Sequence, residues 1–536
     1  MTAGGAVVTH PQSSAHVPLG SPQRRTMPWS FQLALLGLLA FAFAVATLDT
    51  FPIGAGGDDA MYLVLAKSLA TGHGYHSINV PGAPANTHFP PGYPAVLAAL
   101  WMVSPAFPRN VFLFKAFNIL CFVVAALAAA RFARLARIEP TWSIALGVLT
   151  AVSVPSLILV ALLFSEPLFV ALILLLLPAL ERFVRRRPIT GRVSWPALGI
   201  GLAIGLCTLV RSHGVVLVPA VVLMLAAQRR WRDIGLVAAG FLLCAAPWTV
   251  WCVIHARVVP TPLLGEYDSY TAWWIQGFRE IGPGMIARTL ARTTTDAWAM
   301  LAALFSPMRG AAAHAMTLVA LLVLGVAGIA AAWRKIPVTV LFLSGYLTIV
   351  ALWPFQPTRF VWGVWPLLLM VLVLGARDIR RPVLPAWARL AIAGAALWVV
   401  TGYALYEGRA VRGRWWSTIP RTAAPHISFA VGWTRSHSAR GDVIATEDDA
   451  AVFLYTGRPT VPVRPLTARQ YLEDTPPEGD AASGLLPIMA AYPVRTVIVH
   501  TSDRYLTAMY LASLPRPRLS LQATASGGAA FAVLAP

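Results

Sequence analysis

The chain has 536 residues, 57% of them hydrophobic and 12% charged. Too little polar surface exists to solvate a globule of that size, so most of the chain faces lipid and a soluble fold is excluded. The net charge of +20 comes from arginines clustered between apolar runs, the pattern of membrane topology; it does not form the single basic face that nucleic acid would need, so no such partner is expected.

In the bilayer core every backbone amide needs an internal partner, so each run of about 17 to 25 apolar residues predicts a helix. Residues 1–28 read as a cytoplasmic tail. Predicted spans follow near 29–49, 110–130, 141–159, 165–181, 195–210, 214–228, 235–255, 313–332, 337–353, 361–376 and 386–406, which makes about eleven crossings. The first has no small-residue cleavage site after it and reads as a retained anchor. Arg24 and Arg25; Arg131, Arg134 and Arg137; Arg182, Arg185, Arg186, Arg187 and Arg192; Arg229, Arg230 and Arg232; Arg334 and Lys335; and Arg377, Arg380 and Arg381 fall on alternate connections. The positive-inside rule makes those connections cytoplasmic, which places the N-terminus inside and the C-terminus outside. Lysine is nearly absent beside abundant arginine and alanine, a composition that suggests a GC-rich bacterium and hence its inner membrane.

The transmembrane domain, 29–406, carries two long outer segments, 50–109 and 256–312, and long ordered loops tend to hold function. In the first, Ala60 to Ala70 reads as a short amphipathic helix with Asp58 and Asp59 at its N-terminal end, and Tyr93 to Val103 as a second helix along the membrane surface. The second segment, from Arg257 onward, mixes Glu266, Tyr267, Asp268, Tyr270, Trp273, Trp274, Arg279 and Glu280, a composition suited to a sugar or a lipid headgroup. From 407 to 536 the composition shifts to that of a small extracytoplasmic α/β domain, with strands at Asp442 to Ala445 and Arg495 to Val499 around a helix from Asp448 to Tyr455. Cys121, Cys207, Cys244 and Cys252 have no metal-ligand spacing and read as packing residues.

A carboxylate at the lipid boundary is costly unless it is hydrated, paired or used. Asp58 and Asp59 follow two glycines that allow a tight turn. They are either an ordinary helix N-cap, or a pair in which one acid accepts backbone amides and the other points into an outward cavity as a base. Glu166, in Ser165-Glu166-Pro167, either supports the helix dipole behind a Ser165 cap or joins Asp58. Arg211, followed by Ser212 and His213, and Arg359 sit on the outer side against the positive-inside bias. They either snorkel to lipid phosphates or bind an anion, with His213 and His88 as assistants or as ordinary hydrogen-bonding residues.

As an ordered set, Gly57-Asp58-Asp59-Ala60-Met61-Tyr62 with Ala66 to Gly72, Phe89-Pro90-Pro91-Gly92-Tyr93-Pro94, Ser165-Glu166-Pro167, Arg211 and Arg359 resembles the GT-C superfamily of membrane glycosyltransferases. More closely, it looks like glycosyltransferase family 39, the group of protein O-mannosyltransferases and the lipid A aminoarabinose transferase. The likeness covers roughly residues 30 to 406. It implies a GT-C transmembrane helical bundle and an inverting transfer of sugar from a polyprenyl-monophosphate donor to an acceptor hydroxyl at the outer face. Asp58 falls on the family's base, and Asp59 stands where Glu is usual. Glu166 matches a second outer acid, Arg211 and Arg359 match donor-phosphate positions with His213 beside them, and Tyr62, His88 and Tyr93 complete a substrate-binding set. The acceptor is a glycan, lipid or protein.

Asp58, Asp59 and Glu166 could together hold a divalent ion, but no loop offers a full ligand set and related members require no metal, so no cofactor is expected. The rival readings are a transporter or flippase of a lipid-linked sugar and a non-catalytic envelope assembly protein.

Overall fold

A computed structural model describes residues 27–186, 194–256, 263–377, 384–464, 467–472 and 480–534. Arg24, Arg25, Arg187, Arg192, Arg257, Arg380 and Arg381 lie outside the described residues.

Every predicted span falls on helix. The helices start with α1 (Trp29–Val45), and the first of the two long segments expected on the outer side holds α2 (Asp58–Ala70) and α3 (Gly92–Val103). Next come α4 (Val111–Leu135), α5 (Pro140–Val152), α6 (Val154–Ala161), α7 (Glu166–Arg185), α8 (Trp195–Val210), a 3-10 turn (Ser212–Val216), α9 (Leu217–Ala227) and α10 (Trp231–Ile254). The described part of the second such segment is helical too, as α11 (Leu264–Tyr267), α12 (Tyr270–Ile281) and α13 (Gly284–Phe305). The bundle closes with α14 (Ala311–Trp333), α15 (Pro337–Leu352), α16 (Pro357–Trp362), α17 (Trp365–Arg377) and α18 (Ala386–Arg412).

Among the described residues, α4, α7, α10, α14 and α18 are long and apolar enough to cross a bilayer, and α5 with α6, bent by 45°, makes a sixth if read as one span. A 16-residue helix such as α8 reaches about 24 Å, short of a hydrocarbon core about 30 Å thick. Eleven crossings therefore do not follow from helix length. The α5–α6 break has a local cause: Pro155 has no N–H to continue the ladder, and Val154 N donates instead to Glu407 Oε2 of α18 at 3.0 Å. Leu38, Leu206, Leu243 and Leu397 are all more than half exposed, as expected of a lipid-facing surface in a multi-pass membrane protein. Where helices must touch, small residues allow it. A Cβ on Gly201 of α8 would lie 2.1 Å from Val237 O of α10, and one on Gly240 would lie 2.3 Å from Leu198 O.

One expectation is corrected at α2. Asp59 through Ala66 and Ser68 are all buried, so the helix is enclosed on every side and is not amphipathic. It lies between α3 and the C-terminal domain, where α20 packs on it.

After α18 come α19 (Thr418–His437) and a five-stranded sheet: β1 (Val443–Thr446), β2 (Thr460–Val461), β3 (Val494–Val499), β4 (Leu519–Ala525) and β5 (Gly528–Val533). The order is β2-β1-β3-β5-β4, with β1 parallel to both its neighbours and β5 antiparallel to both of its own. Helices α20 (Asp449–Thr456), α21 (Ala468–Leu472), α22 (Asp480–Ala491) and α23 (Ser502–Ser513) complete the domain. It is docked on the first outer segment: Thr460 N donates to Asn79 O at 2.7 Å, and Ile53 N donates to the Tyr455 hydroxyl at 3.0 Å.

Candidate active site

The turn before α2 separates the two adjacent acids. Gly57 sits at φ +71°, a region open to glycine, and its N–H donates to Gly54 O at 3.0 Å, closing the turn whose amides Asp59 accepts. Asp59 is buried and accepts the N–H groups of Gly54 at 3.1 Å, Gly56 at 3.2 Å and Ala60 at 3.0 Å. Burial raises its pKa above the ordinary carboxyl value, against the pull of those three donors. Asp59 thus stabilises the turn, and its backbone bonds leave it turned away from the cationic groups with which the sequence grouped it. Asp58 points the other way. Its side chain is 34% exposed, and Oδ2 lies 2.5 Å from Nη1 of Arg359.

Glu166 begins α7 and is fully buried. Its Oε1 lies 2.7 Å from Nη1 of Arg211 and accepts from Nε of Arg359, while Oε2 accepts from Nη2 of Arg359 at 3.3 Å. Ser165 does not cap α7 with its side chain. Its Oγ instead accepts from Arg211 Nη1 at 3.1 Å and lies 3.3 Å from the Tyr62 hydroxyl. The Arg359 guanidinium stacks on Phe164, 3.6 Å from the ring centroid. Asp58, Glu166, Arg211 and Arg359, separated by up to 301 positions, therefore form one connected cluster. Arg211 is buried, and access is from the Asp58–Arg359 side.

The remaining expected residues divide. Tyr62 belongs to the cluster's wall, edge-on to Phe89 and Tyr93 at 5.1 Å, and burial pushes its hydroxyl up to about 12. Tyr93 is fully buried and donates to Asn118 Oδ1 at 3.0 Å, whose Nδ2 donates to Phe164 O at 3.1 Å. This relay holds the strap that carries Ser165 and Glu166, so Tyr93 is a positioning residue. His88 joins the two outer segments through Nδ1 and Asp268 O at 2.7 Å. Burial lowers its pKa below 6.5. His213 lies among Tyr346, Trp353 and Phe360 at 5.1 to 5.5 Å between ring centroids, and its Nε2 has no partner among the described residues.

Sequence reasoning missed the aromatic residues around His213, namely Tyr346, Trp353 and Phe360, and the stacking of Phe164 on Arg359, and gave Ser165 no role beyond a cap and a motif position. Their signal was weak, because aromatic residues are frequent throughout a membrane chain. With Asp59 committed to the backbone and two guanidinium groups against Glu166, the donor set suits an anion better than a divalent cation.

No family model matches the sequence, and no curated protein does. Solved structures do match. ArnT from Cupriavidus metallidurans bound to undecaprenyl phosphate aligns over 94% of this chain and 98% of its own, with a TM-score of 0.52 and 11% identity. The archaeal oligosaccharyltransferase AglB from Archaeoglobus fulgidus, in complex with an inhibitory peptide and a dolichol-phosphate, aligns over 94% and 74%, with a TM-score of 0.55 and 12% identity. The chain shares its fold with these two solved structures.

Proposed function

We propose that this GT-C chain is an inverting glycosyltransferase that moves a sugar from a polyprenyl-monophosphate donor to an acceptor hydroxyl at the outer face of a bacterial inner membrane, with the C-terminal domain in the periplasm. The observation that carries the reading is the convergence of one accessible carboxylate, Asp58, with two guanidinium groups held by a buried acid. The solved GT-C structures with polyprenyl phosphates bound support the donor class.

In this reading the donor phosphate takes Arg359 away from Asp58, which frees the carboxylate. Asp58 accepts the acceptor's O–H proton as the acceptor oxygen bonds to the anomeric carbon. The bond from that carbon to the phosphate oxygen breaks, and its electron pair leaves on the phosphate. Phosphate departs without a general acid, and Arg359 and Arg211 stabilise the charge it gains. One displacement from the opposite face inverts the centre. Glu166 keeps both guanidinium groups in place.

Purified protein given a panel of polyprenyl-phosphate sugars and acceptors should release free polyprenyl phosphate. Asp58→Asn should keep its fold and membrane insertion and lose transfer by about 10² to 10⁴ in rate. A fully active Asp58→Asn enzyme refutes the assignment. Lipid-linked sugar crossing vesicles with no phosphate released would instead favour the transporter.

A further inference from the structure

We propose that the C-terminal domain holds a transition-metal ion of the zinc class through His426, Asp448 and His500. Asp448 follows β1 and His500 follows β3, adjacent parallel strands that pair Thr446 with Ile498. Both residues thus stand at the carboxyl ends of the strands, where open α/β sheets place their ligands. His426 reaches the same point from α19. The ligating atoms of the three residues all lie within 4.8 Å of one another.

The contacts suit a metal better than a hydrogen-bond network. His426 Nδ1 and His500 Nδ1 each lie 3.6 Å from the same oxygen, Asp448 Oδ2, too far for a hydrogen bond. Two ligands about 2.0 to 2.1 Å from a tetrahedral zinc stand about 3.3 Å apart, close to that spacing. His426 Nδ1 and Asp448 Oδ2 are buried with no hydrogen-bond partner among the described residues, a costly arrangement that one cation would relieve at both atoms. The two imidazoles stack with centroids 3.9 Å apart and planes 12° apart, and His500 Nδ1 also has Glu447 Oε2 at 3.3 Å. Glu447 fixes the loop that carries His500, accepting from His500 N at 2.6 Å, Thr501 N at 3.0 Å and Thr501 Oγ1 at 2.6 Å.

Two imidazole nitrogens and one carboxylate oxygen form a borderline donor set that selects zinc and its neighbours over calcium or magnesium. With three protein ligands, a fourth position faces a cavity of about 300 Å³ that Glu266, Arg464 and the Gly54–Gly57 turn also line. The ion would sit behind the turn that carries Asp58, apart from the arginine cluster.

The test uses full-length protein in detergent, stripped with chelator, exposed to Zn²⁺ and freed of excess metal. Wild type should retain about one equivalent, and its thermal midpoint should rise with added Zn²⁺. Co²⁺ in its place should show visible d–d bands. His426→Gln and His500→Gln should each weaken retention by about tenfold or more, while His437→Gln, whose ring stacks on Trp433 elsewhere on α19, should match wild type. Gel filtration and helix content check each variant, and Asp448→Asn replaces one that fails to fold. Wild type with no retained zinc, or ligand variants that retain as much as wild type, overturns the site. No substrate enters the measurement, so its result is independent of the transferase reading.

Discussion

At the scale of single residues, the candidate site is an ion-pair arrangement whose parts are unequal. Glu166 serves two guanidinium groups, whereas each arginine serves Glu166 with help from Ser165 or Asp58. Breaking a buried ion pair by removing one partner costs about 3–5 kcal/mol. Glu166→Gln should therefore destabilise most, because it leaves Arg211 and Arg359 facing each other, and Arg211→Met should cost less because Glu166 keeps Arg359. Thermal unfolding in detergent measures the order, and equal losses would refute it. His88 sets a pH dependence. Its pKa is lowered by burial, so its contribution to stability is present above about pH 6.5 and is lost as pH falls through the lower folded value. His88→Gln, which can still donate to Asp268 O, should show a shallower loss of thermal midpoint on acidification; an unchanged acid limb would discard His88 as the cause. The residue types of the cluster were legible because charge is conspicuous in an apolar chain. Composition alone did not say which of Asp58 and Asp59 faces the arginines, since that depends on the turn amides that Asp59 accepts; the family resemblance alone pointed to Asp58.

At the scale of elements, the helices were readable because apolar runs in lipid leave the backbone few alternatives. The burial of α2 was not, because its cover comes from α20, some 390 positions downstream, and no local pattern announces a distant partner. Pro155 was visible, yet the break it makes also depends on Glu407, a long-range acceptor. The turn ahead of α2 is one place where elements meet tightly. Gly54 has φ +121°, and a Cβ there would lie 2.5 Å from the Ala451 Cβ of α20. Gly54→Val should displace the turn, costing about 1–3 kcal/mol in backbone strain before the overlap is counted. Sugar transfer should fall with it, since Asp58 lies four residues on. Unfolding and transfer assays on the same preparation test both effects, and a variant with wild-type stability would show that the contact yields freely.

At the scale of the whole molecule, three distant segments meet at one hydroxyl. Asn79 Nδ2 of the first outer segment lies 2.6 Å from the Tyr267 hydroxyl of the second, and that hydroxyl donates to Asp449 of the C-terminal domain. The sequence noted Tyr267 only as part of a polar, aromatic stretch and placed Asp449 in an independent soluble domain, because nothing along the chain indicates that the domain closes over the outer segments. If this junction holds the domain on the turn that carries Asp58, losing the hydroxyl leaves Asn79 and Asp449 without their shared partner and costs about 1–3 kcal/mol. The loss should act on both sides of the interface and not only near residue 267. Tyr267→Phe should therefore speed hydrogen exchange in residues 50–60 and 449–456 together, because each segment protects the other. Faster exchange confined to α11 would mean that the domain is held mainly by the Ile53–Tyr455 and Asn79–Thr460 bonds, and the double substitution Tyr267→Phe with Tyr455→Phe would then be needed to open both segments.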